Sequence, residues 1–459
     1  MNNTSIAVDR RNDPGVPNTS WGLIKDPSRQ LHNGYLTKTP IFQYVLLSIC
    51  FPMWGAAASL NDILITQFKH IFTLSDFATA FVQSAFYGGY FVIAIPASRV
   101  IRRFSYKAGL LIGLTIYILG CMLFFPASQA ATYSVFLASL FAVAIGLSFL
   151  ETSANTYSSM IGPQKTATLR LNISQTFTPV GFFAGALLGK YLIFTDGASL
   201  EDQLAGLDPV AAQQLTEQLL QRTLEPYRWI IVVLVVLLLL VAITQYPASK
   251  PLDKTDHEKP AGLGETLRYL MGNKSFRQGI FAQFMYVGLQ TALWSFTIRL
   301  ALTLDGSLNE RTATNFLLWA YVAFFIGKFI ANYLITKMDE DLVLIIYSAL
   351  GILALLYVVF VPNLSAVWAA VLASGLMGPG WATIYARTLD TIEDKRFTET
   401  GGAVIVMAII GGAVIPVIQG LISDVTGSMS FSFSINILCY LVIGLYFWGL
   451  YRTSRKARA

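Results

Sequence analysis

The sequence is short of the residues from which soluble enzymes and metal centres are assembled: of 459 residues, 13% are charged, and there are three cysteines and three histidines. Cys50, Cys121 and Cys439 lie inside apolar stretches, are odd in number and lack metal-ligand spacing, which argues against a disulfide framework or a zinc site. They read as small packing residues. His32, His70 and His257 fall outside the apolar stretches or at their margins, so no metal centre is expected within a membrane. The first 40 residues contain Pro14, Pro17, Pro27 and Pro40 and lack the hydrophobic core of a signal peptide. They are expected to form a flexible cytoplasmic tail. The net charge of +6 does not point to nucleic acid, because the basic residues sit in short turns and not on one polar face.

What is abundant is apolar surface. With 54% hydrophobic residues and a positive mean hydropathy, the chain exceeds what a soluble core can hide, and is expected to be an integral membrane protein. Apolar runs of about 20 residues, each long enough to cross a hydrocarbon layer of roughly 30 Å as a helix, recur twelve times. They are drawn at 41–68, 76–102, 107–127, 132–162, 166–194, 227–246, 276–304, 310–336, 341–361, 365–388, 398–424 and 430–451. A polar link separates the first six from the last six. The expected layout is a tail at 1–40, a six-helix half at 41–246, a cytoplasmic linker at 247–274, a second six-helix half at 275–452 and a tail at 453–459. This is the all-α plan of a carrier whose two pseudo-symmetric halves rock about a midplane site.

Lys and Arg in short connections stay cytoplasmic. Arg99, Arg102, Arg103 and Lys107 follow the second span, Arg387, Lys395 and Arg396 the tenth, and Arg452, Arg455, Lys456 and Arg458 the twelfth. Both termini are therefore predicted cytoplasmic. The segment between the fifth and sixth spans is mostly acidic, as in Asp196, Glu201, Asp202 and Asp208, and its 209–224 portion is expected to form a short surface helix.

Polar groups within the spans are the candidate site. An ionisable side chain at membrane depth costs about 2.5 to 3.5 kcal/mol on insertion scales, so it is a functional candidate by default. Two acids stand out, Asp62 in Ser59-Leu60-Asn61-Asp62 and Glu151 in Leu150-Glu151-Thr152. Glu151 falls near mid-membrane, whereas Asp62 falls towards the outer end of its span. A carboxyl that takes up a proton on one side and releases it on the other is what proton coupling requires. Around the two acids lie Asn61, Gln83, Asn155, Gln175, Thr178, Gln283, Gln290 and Asn315, which offer hydrogen bonds to a polyhydroxylated ligand or between helices. Tyr87, Tyr90, Tyr286, Trp294, Tyr321 and Trp381 offer flat apolar faces for a pyranose ring. Lys328, Arg170 and Lys190 are expected to snorkel to the membrane surfaces.

At these positions the chain resembles the L-fucose permease family of sugar:proton symporters within the major facilitator superfamily. The matching stretches are Leu60 to Leu64 with Gln67-Phe68, Gln83 to Tyr87, Leu150 to Thr152 with Ala154-Asn155, Arg170 to Asn172 with Gln175 to Phe177, Tyr286 to Gly288, Gln290 to Ala292, Trp294-Ser295, Ile298-Arg299 and Ile409 to Gly412. The resemblance implies a first-span acid whose protonation couples to turnover, carried onto Asp62, and a fourth-span acid serving sugar and proton, carried onto Glu151. It also implies that Gln175 contacts sugar. The chain departs from the pattern at Ala58, Ser59 and Thr178, where amides are usual, and at Pro379-Gly380-Trp381.

The expected function is proton-coupled import of a monosaccharide, L-fucose first, by alternating access in the plasma membrane, by a monomer without cofactor. Proton-coupling residues are Asp62 and Glu151. Substrate-binding residues are Asn61, Gln83, Tyr87, Glu151, Asn155, Gln175, Thr178, Gln290, Trp294 and Trp381. The alternative within the family is a carrier of glucose, galactose or an N-acetylated amino sugar. Rivals from other classes are an intramembrane enzyme with Asp62 and Glu151 as an acid pair, and a sugar sensor that does not translocate.

Overall fold

The computed structural model describes residues 16–17, 21–26, 28–31, 34–195, 203, 207–249, 263–393 and 397–458. The tail residues 1–15, most of the acidic 196–206 segment, linker residues 250–262 and the basic pair Lys395 and Arg396 lie outside the described residues. Among the described residues, twelve helices are long and apolar enough to cross a membrane: Ile41–Ile71, Asp76–Ile101, Tyr106–Gln129, Tyr133–Met160, Ile173–Ile193, Val210–Ile243, Lys274–Leu304, Glu310–Ile335, Glu340–Phe360, Ser365–Leu389, Val404–Thr426 and Met429–Thr453. They are numbered as spans one to twelve. Helices satisfy most of their backbone hydrogen bonds internally, the condition for crossing a layer without water.

The halves repeat the same packing. Span one lies against five, two against four, three against six and three against four; seven lies against eleven, eight against ten, nine against twelve and nine against ten. The pseudo-symmetry that is weak in the sequence is explicit in this pairing. Small residues allow the tightest crossings. A Cβ at Gly181 would run into the Pro52 carbonyl where spans five and one cross, and one at Gly411 would run into the Phe284 carbonyl at the equivalent crossing of eleven and seven.

Several spans are broken at a common depth. Span one changes helix at Ile49, span five at Phe177 and span ten between Gly375 and Gly380, while span eleven tightens to a 3₁₀ turn over Ala408–Ile410. Discontinuous helices bring backbone groups and irregular walls to a carrier's midplane.

Two expectations change. The separate surface helix and sixth span form one helix, Pro209–Ile243, which runs through Pro226. Asp208 caps its start by accepting from Ala211 N at 2.8 Å, and Leu219, Leu220, Leu224 and Tyr227 are buried, with the Tyr227 ring stacked 4.1 Å from Phe124. That packing outweighs the hydrogen bond lost at the proline. The described part of the N-terminal segment, within residues 21–40, is a strap and not a free tail. Leu23 N donates to Ile243 O at 2.7 Å and Gln245 N to Ile24 O at 2.8 Å. Asp26 N meets Gln245 Oε1 at 2.9 Å, and Leu36 is fully buried. Lys107 Nζ caps the end of span six through Ala242 O and Thr244 O, at 2.9 and 2.8 Å. The strap marks one face of the bundle, here called the tail face; the opposite one is the far face.

Gly181→Leu and Gly411→Leu are each expected to lower stability by about 1 to 3 kcal/mol through overpacking. Thermal unfolding of the purified protein in detergent checks this, with Gly449→Leu, which meets no neighbour, leaving the midpoint unchanged.

Candidate functional site: a central hollow beneath an inter-half knot

Between the halves lies a hollow of about 1270 Å³, counting its open mouth. Its wall comes from the tail-face parts of the spans and from their breaks: Cys50 and Trp54 of span one, Thr178 and Pro179 of five, Gly378 and Trp381 of ten, and Val406 and Ile409 of eleven. Tyr87, Glu151, Asn155, Gln175, Gln290 and Trp294 line it as well. Eight of the expected site residues thus share one cavity: Tyr87, Glu151, Asn155, Gln175, Thr178, Gln290, Trp294 and Trp381. Gln175 Nε2 donates to Asn155 Oδ1 at 3.3 Å, and Glu151 is flanked by Asn155 and Tyr90. The indole N–H groups of Trp54 and Trp294 are buried without a hydrogen-bond partner among the described residues, so the wall holds donors for a polar ligand.

Asn61, Asp62 and Gln83 are not in the wall. Asp62 is 3% exposed and sits about nine residues, or roughly 14 Å of helix, from the far-face end of span one. It lies towards the outer end of its span, as expected, and is not hydrated there, because the second half covers it. Asp62 Oδ1 accepts from Gln83 Nε2 at 2.7 Å and from Ser295 Oγ at 2.8 Å, and Oδ2 accepts from Tyr321 Oη at 2.9 Å. Gln83 Nε2 also donates to Ser295 Oγ at 2.8 Å, and Asn61 Nδ2 to Gln83 Oε1 at 3.2 Å. Asp62 and Gln83 belong to one half, Ser295 and Tyr321 to the other. An aromatic layer lies between this knot and the hollow: the Trp294 ring meets Tyr321 at 4.9 Å, and Phe182 meets both Trp294 and Tyr321 at 5.4 Å.

Beyond the knot the far face is closed by charge. Arg299, 3% exposed, donates to Asp76 Oδ1 at 2.6 Å and Thr79 Oγ1 at 3.1 Å. Asp76 also takes Lys69 Nζ at 2.8 Å and Ser423 Oγ at 2.8 Å. Asp424 reaches across from span eleven to cap the start of span two, accepting from Asp76 N at 2.9 Å and Phe77 N at 2.8 Å. Lys190 Nζ joins spans five and eight through Asn315 Oδ1 at 2.6 Å, and His70 stands 3.7 Å from Glu310. These contacts close the far side of the hollow, whose wall is drawn from residues nearer the tail face.

Charge pairing across 200 or more positions leaves no local signal, so this closure was not read from the sequence. Three snorkelling expectations are corrected with it. Lys190 is held by Asn315. Arg170 is 4% exposed and donates to Pro163 O at 2.8 Å, to Thr166 Oγ1 at 2.6 Å and to Ser159 O, pinning the turn between spans four and five. Lys328 lines the hollow instead of leaving the membrane. Among the described residues, no group of three or more His, Cys, Asp or Glu is placed to hold a metal.

A broken-helix bundle of two repeated halves around a central hollow is the architecture of a secondary carrier. The sequence matches the family model of the Major Facilitator Superfamily over residues 45–318. It is 34% identical to the L-fucose-proton symporter of Escherichia coli over 89% of this chain and 93% of that one. With the Haemophilus influenzae protein of the same name it shares 32% over 90% and 97%, and with a glucose/galactose transporter of Brucella abortus 29% over 88% and 93%. The crystal structure of the E. coli fucose:proton symporter in its outward conformation superposes with a TM-score of 0.66, at 34% identity, over 89% of this chain and 98% of that one. The chain belongs to the Major Facilitator Superfamily and, within it, to the L-fucose permease family.

With Cys50, Cys121 and Cys439 replaced by serine, a cysteine at Gln290 is expected to react with a membrane-impermeant thiol reagent from the tail face only. Adding Arg299→Met should give reaction from the far face as well, at a rate at least tenfold above the parent.

Proposed function

We propose that the protein is a proton-coupled symporter that imports a monosaccharide, L-fucose first, by alternating access. The observation that carries this reading is Glu151: among the described residues it is the sole carboxylate in the wall of the hollow, where it is surrounded by amides, unpartnered indole N–H groups and aromatic faces. A sugar stripped of water needs a partner for each hydroxyl, at about 1 to 3 kcal/mol for each one left unpaired, and Asn155, Gln175, Thr178 and Gln290 supply them. Trp294, Trp381 and Tyr87 supply the flat walls. Glu151 binds sugar and proton together; Asp62 carries the proton whose presence decides whether the halves remain knotted.

The tail face is cytoplasmic on this reading, since the basic connections lie there, and the closed far face makes this the inward-open state. The hollow is enclosed by one chain, which supports a monomer as the working unit, in the plasma membrane or, in a bacterium, the inner membrane. The proton gradient supplies the energy and no cofactor takes part: 100 mV contributes about 2.3 kcal/mol per proton, or roughly 50-fold accumulation. Asp62 lies outside the wall of the hollow that holds Glu151, which speaks against a shared reacting centre, and so against the enzyme reading. Glucose, galactose or an N-acetylated amino sugar is the second reading of the substrate, supported by the glucose/galactose name of the Brucella relative.

Uptake of labelled sugar into sealed vesicles tests the proposal. Wild-type protein should concentrate L-fucose only with an inward proton gradient, and unlabelled L-fucose should compete better than D-galactose, D-glucose or N-acetylglucosamine. Sugar chemically altered, or bound but not concentrated, would favour the enzyme or the sensor.

Glu151→Gln should lose accumulation; undiminished concentrative uptake would remove it from the proton path. Asp62→Asn should retain sugar exchange at a rate within about threefold of wild type while gradient-driven uptake falls to background, and intact coupling would reject the role given to Asp62.

A further inference from the structure

Asp62 and the hollow are separate places, so coupling needs a residue that belongs to both. We propose that Tyr321 is that positioning residue, its hydroxyl held on the Asp62 carboxylate and its ring packed against the Trp294 and Phe182 rings that line the hollow. The inference rests on the symporter reading above and adds to it the link between its two ligands.

Tyr321 is 5% exposed and lies on span eight, in the half opposite Asp62. Its Oη donates to Oδ2, while Gln83 and Ser295 occupy Oδ1. All three partners can donate, as an ionised, acceptor-only carboxylate requires, and the two hydroxyls can equally accept from a protonated one. A proton taken from water onto Oδ2 would turn that oxygen into a donor facing the Tyr321 hydroxyl, and one of the two must turn away. The Tyr321 oxygen can turn from donating to accepting, as the Ser295 hydroxyl can on Oδ1, whereas Gln83 Nε2 cannot; of the two hydroxyls, that of Tyr321 is the one carried by a ring packed on Trp294 and Phe182. Tyr321 is thus where a proton on Asp62 is registered by the second half.

The other end of the same side chain registers the ligand. Trp294 stands edge-on to the Tyr321 ring at 4.9 Å, Phe182 meets both, and Trp294 carries an unpartnered Nε1. A sugar that takes up this N–H or lies on the indole face displaces Trp294, and close packing passes the displacement to Tyr321. Sugar in the hollow and proton on Asp62 therefore bias one rotor, which is how two sites come to share a coupling free energy.

The test uses purified full-length protein and Tyr321→Phe, which keeps the ring and removes the hydroxyl. L-Fucose binding is read from tryptophan fluorescence, exchange from counterflow in proteoliposomes, and coupling from proton uptake by the protein on addition of L-fucose. The variant should bind within threefold of wild type and retain counterflow, while sugar-dependent proton uptake falls at least tenfold. Undiminished proton uptake by the variant would overturn the inference, and so would loss of binding together with coupling, which is the mark of a merely structural ring. A wild type that binds L-fucose without moving protons would instead sink the symporter reading.

Discussion

A carboxylate sealed from water has to be given donors, and most of this molecule follows from where Asp62 finds its own. Its first half supplies Gln83; the other two donors, Ser295 and Tyr321, come from the second half. The charge is comfortable only while the halves are together on that side, and the contact between them is specific only while the charge is there. A buried carboxylate deprived of one donor is left with an uncompensated desolvation cost of a few kcal/mol, so the state of this one group and the contact between the halves are linked.

The remaining closure of the far face obeys the same rule with different chemistry. Arg299 is almost fully buried, with its guanidinium 3.7 Å over the Phe296 ring, and it answers Asp76 across the interface, while Asp424 spends its two oxygens on backbone N–H groups of the facing half. None of these groups has a satisfactory environment alone. Polar contacts of this kind hold two bodies in one register without making them inseparable, because water entering from the far side can replace every donor and acceptor. An apolar seal of the same area offers no such exchange.

The bundle was legible in the sequence because hydropathy reports immersion, and the twelve expected spans overlap the twelve observed. Eight of the expected site residues converge on the hollow for a related reason: amides and aromatics placed next to an acid within apolar runs have few other uses. What hydropathy does not encode is direction. Lys328 and Arg170 look alike as isolated cations near span ends, yet one faces the hollow and the other ties down a turn, since each answer depends on a neighbouring helix. The burial of Asp62 was hidden for the same reason. Its own span grows polar at Gln67, Lys69 and His70, and the cover that makes it deep comes from Ser295 and Tyr321, more than 230 positions away. The continuation of span six through Pro226 was hidden by a local rule that tertiary packing overrode.

On the tail face each half is bound by its own terminal segment. The strap of residues 21–40 ties spans one, three, four and six of the first half, with Tyr157 Oη reaching Pro247 O at 2.5 Å and Ser249 N reaching Gln30 Oε1 at 2.9 Å. The short helix Leu263–Gly272 meets Phe276, Ile392, Phe397 and Ile405 of the second half in a separate apolar cluster. Two stiff blades, splinted independently at one end and clasped at the other, behave as a pair of tongs. The grip at the clasp sets how wide the tips part, and the splints ensure that the motion is spent at the joint and not in bending the blades.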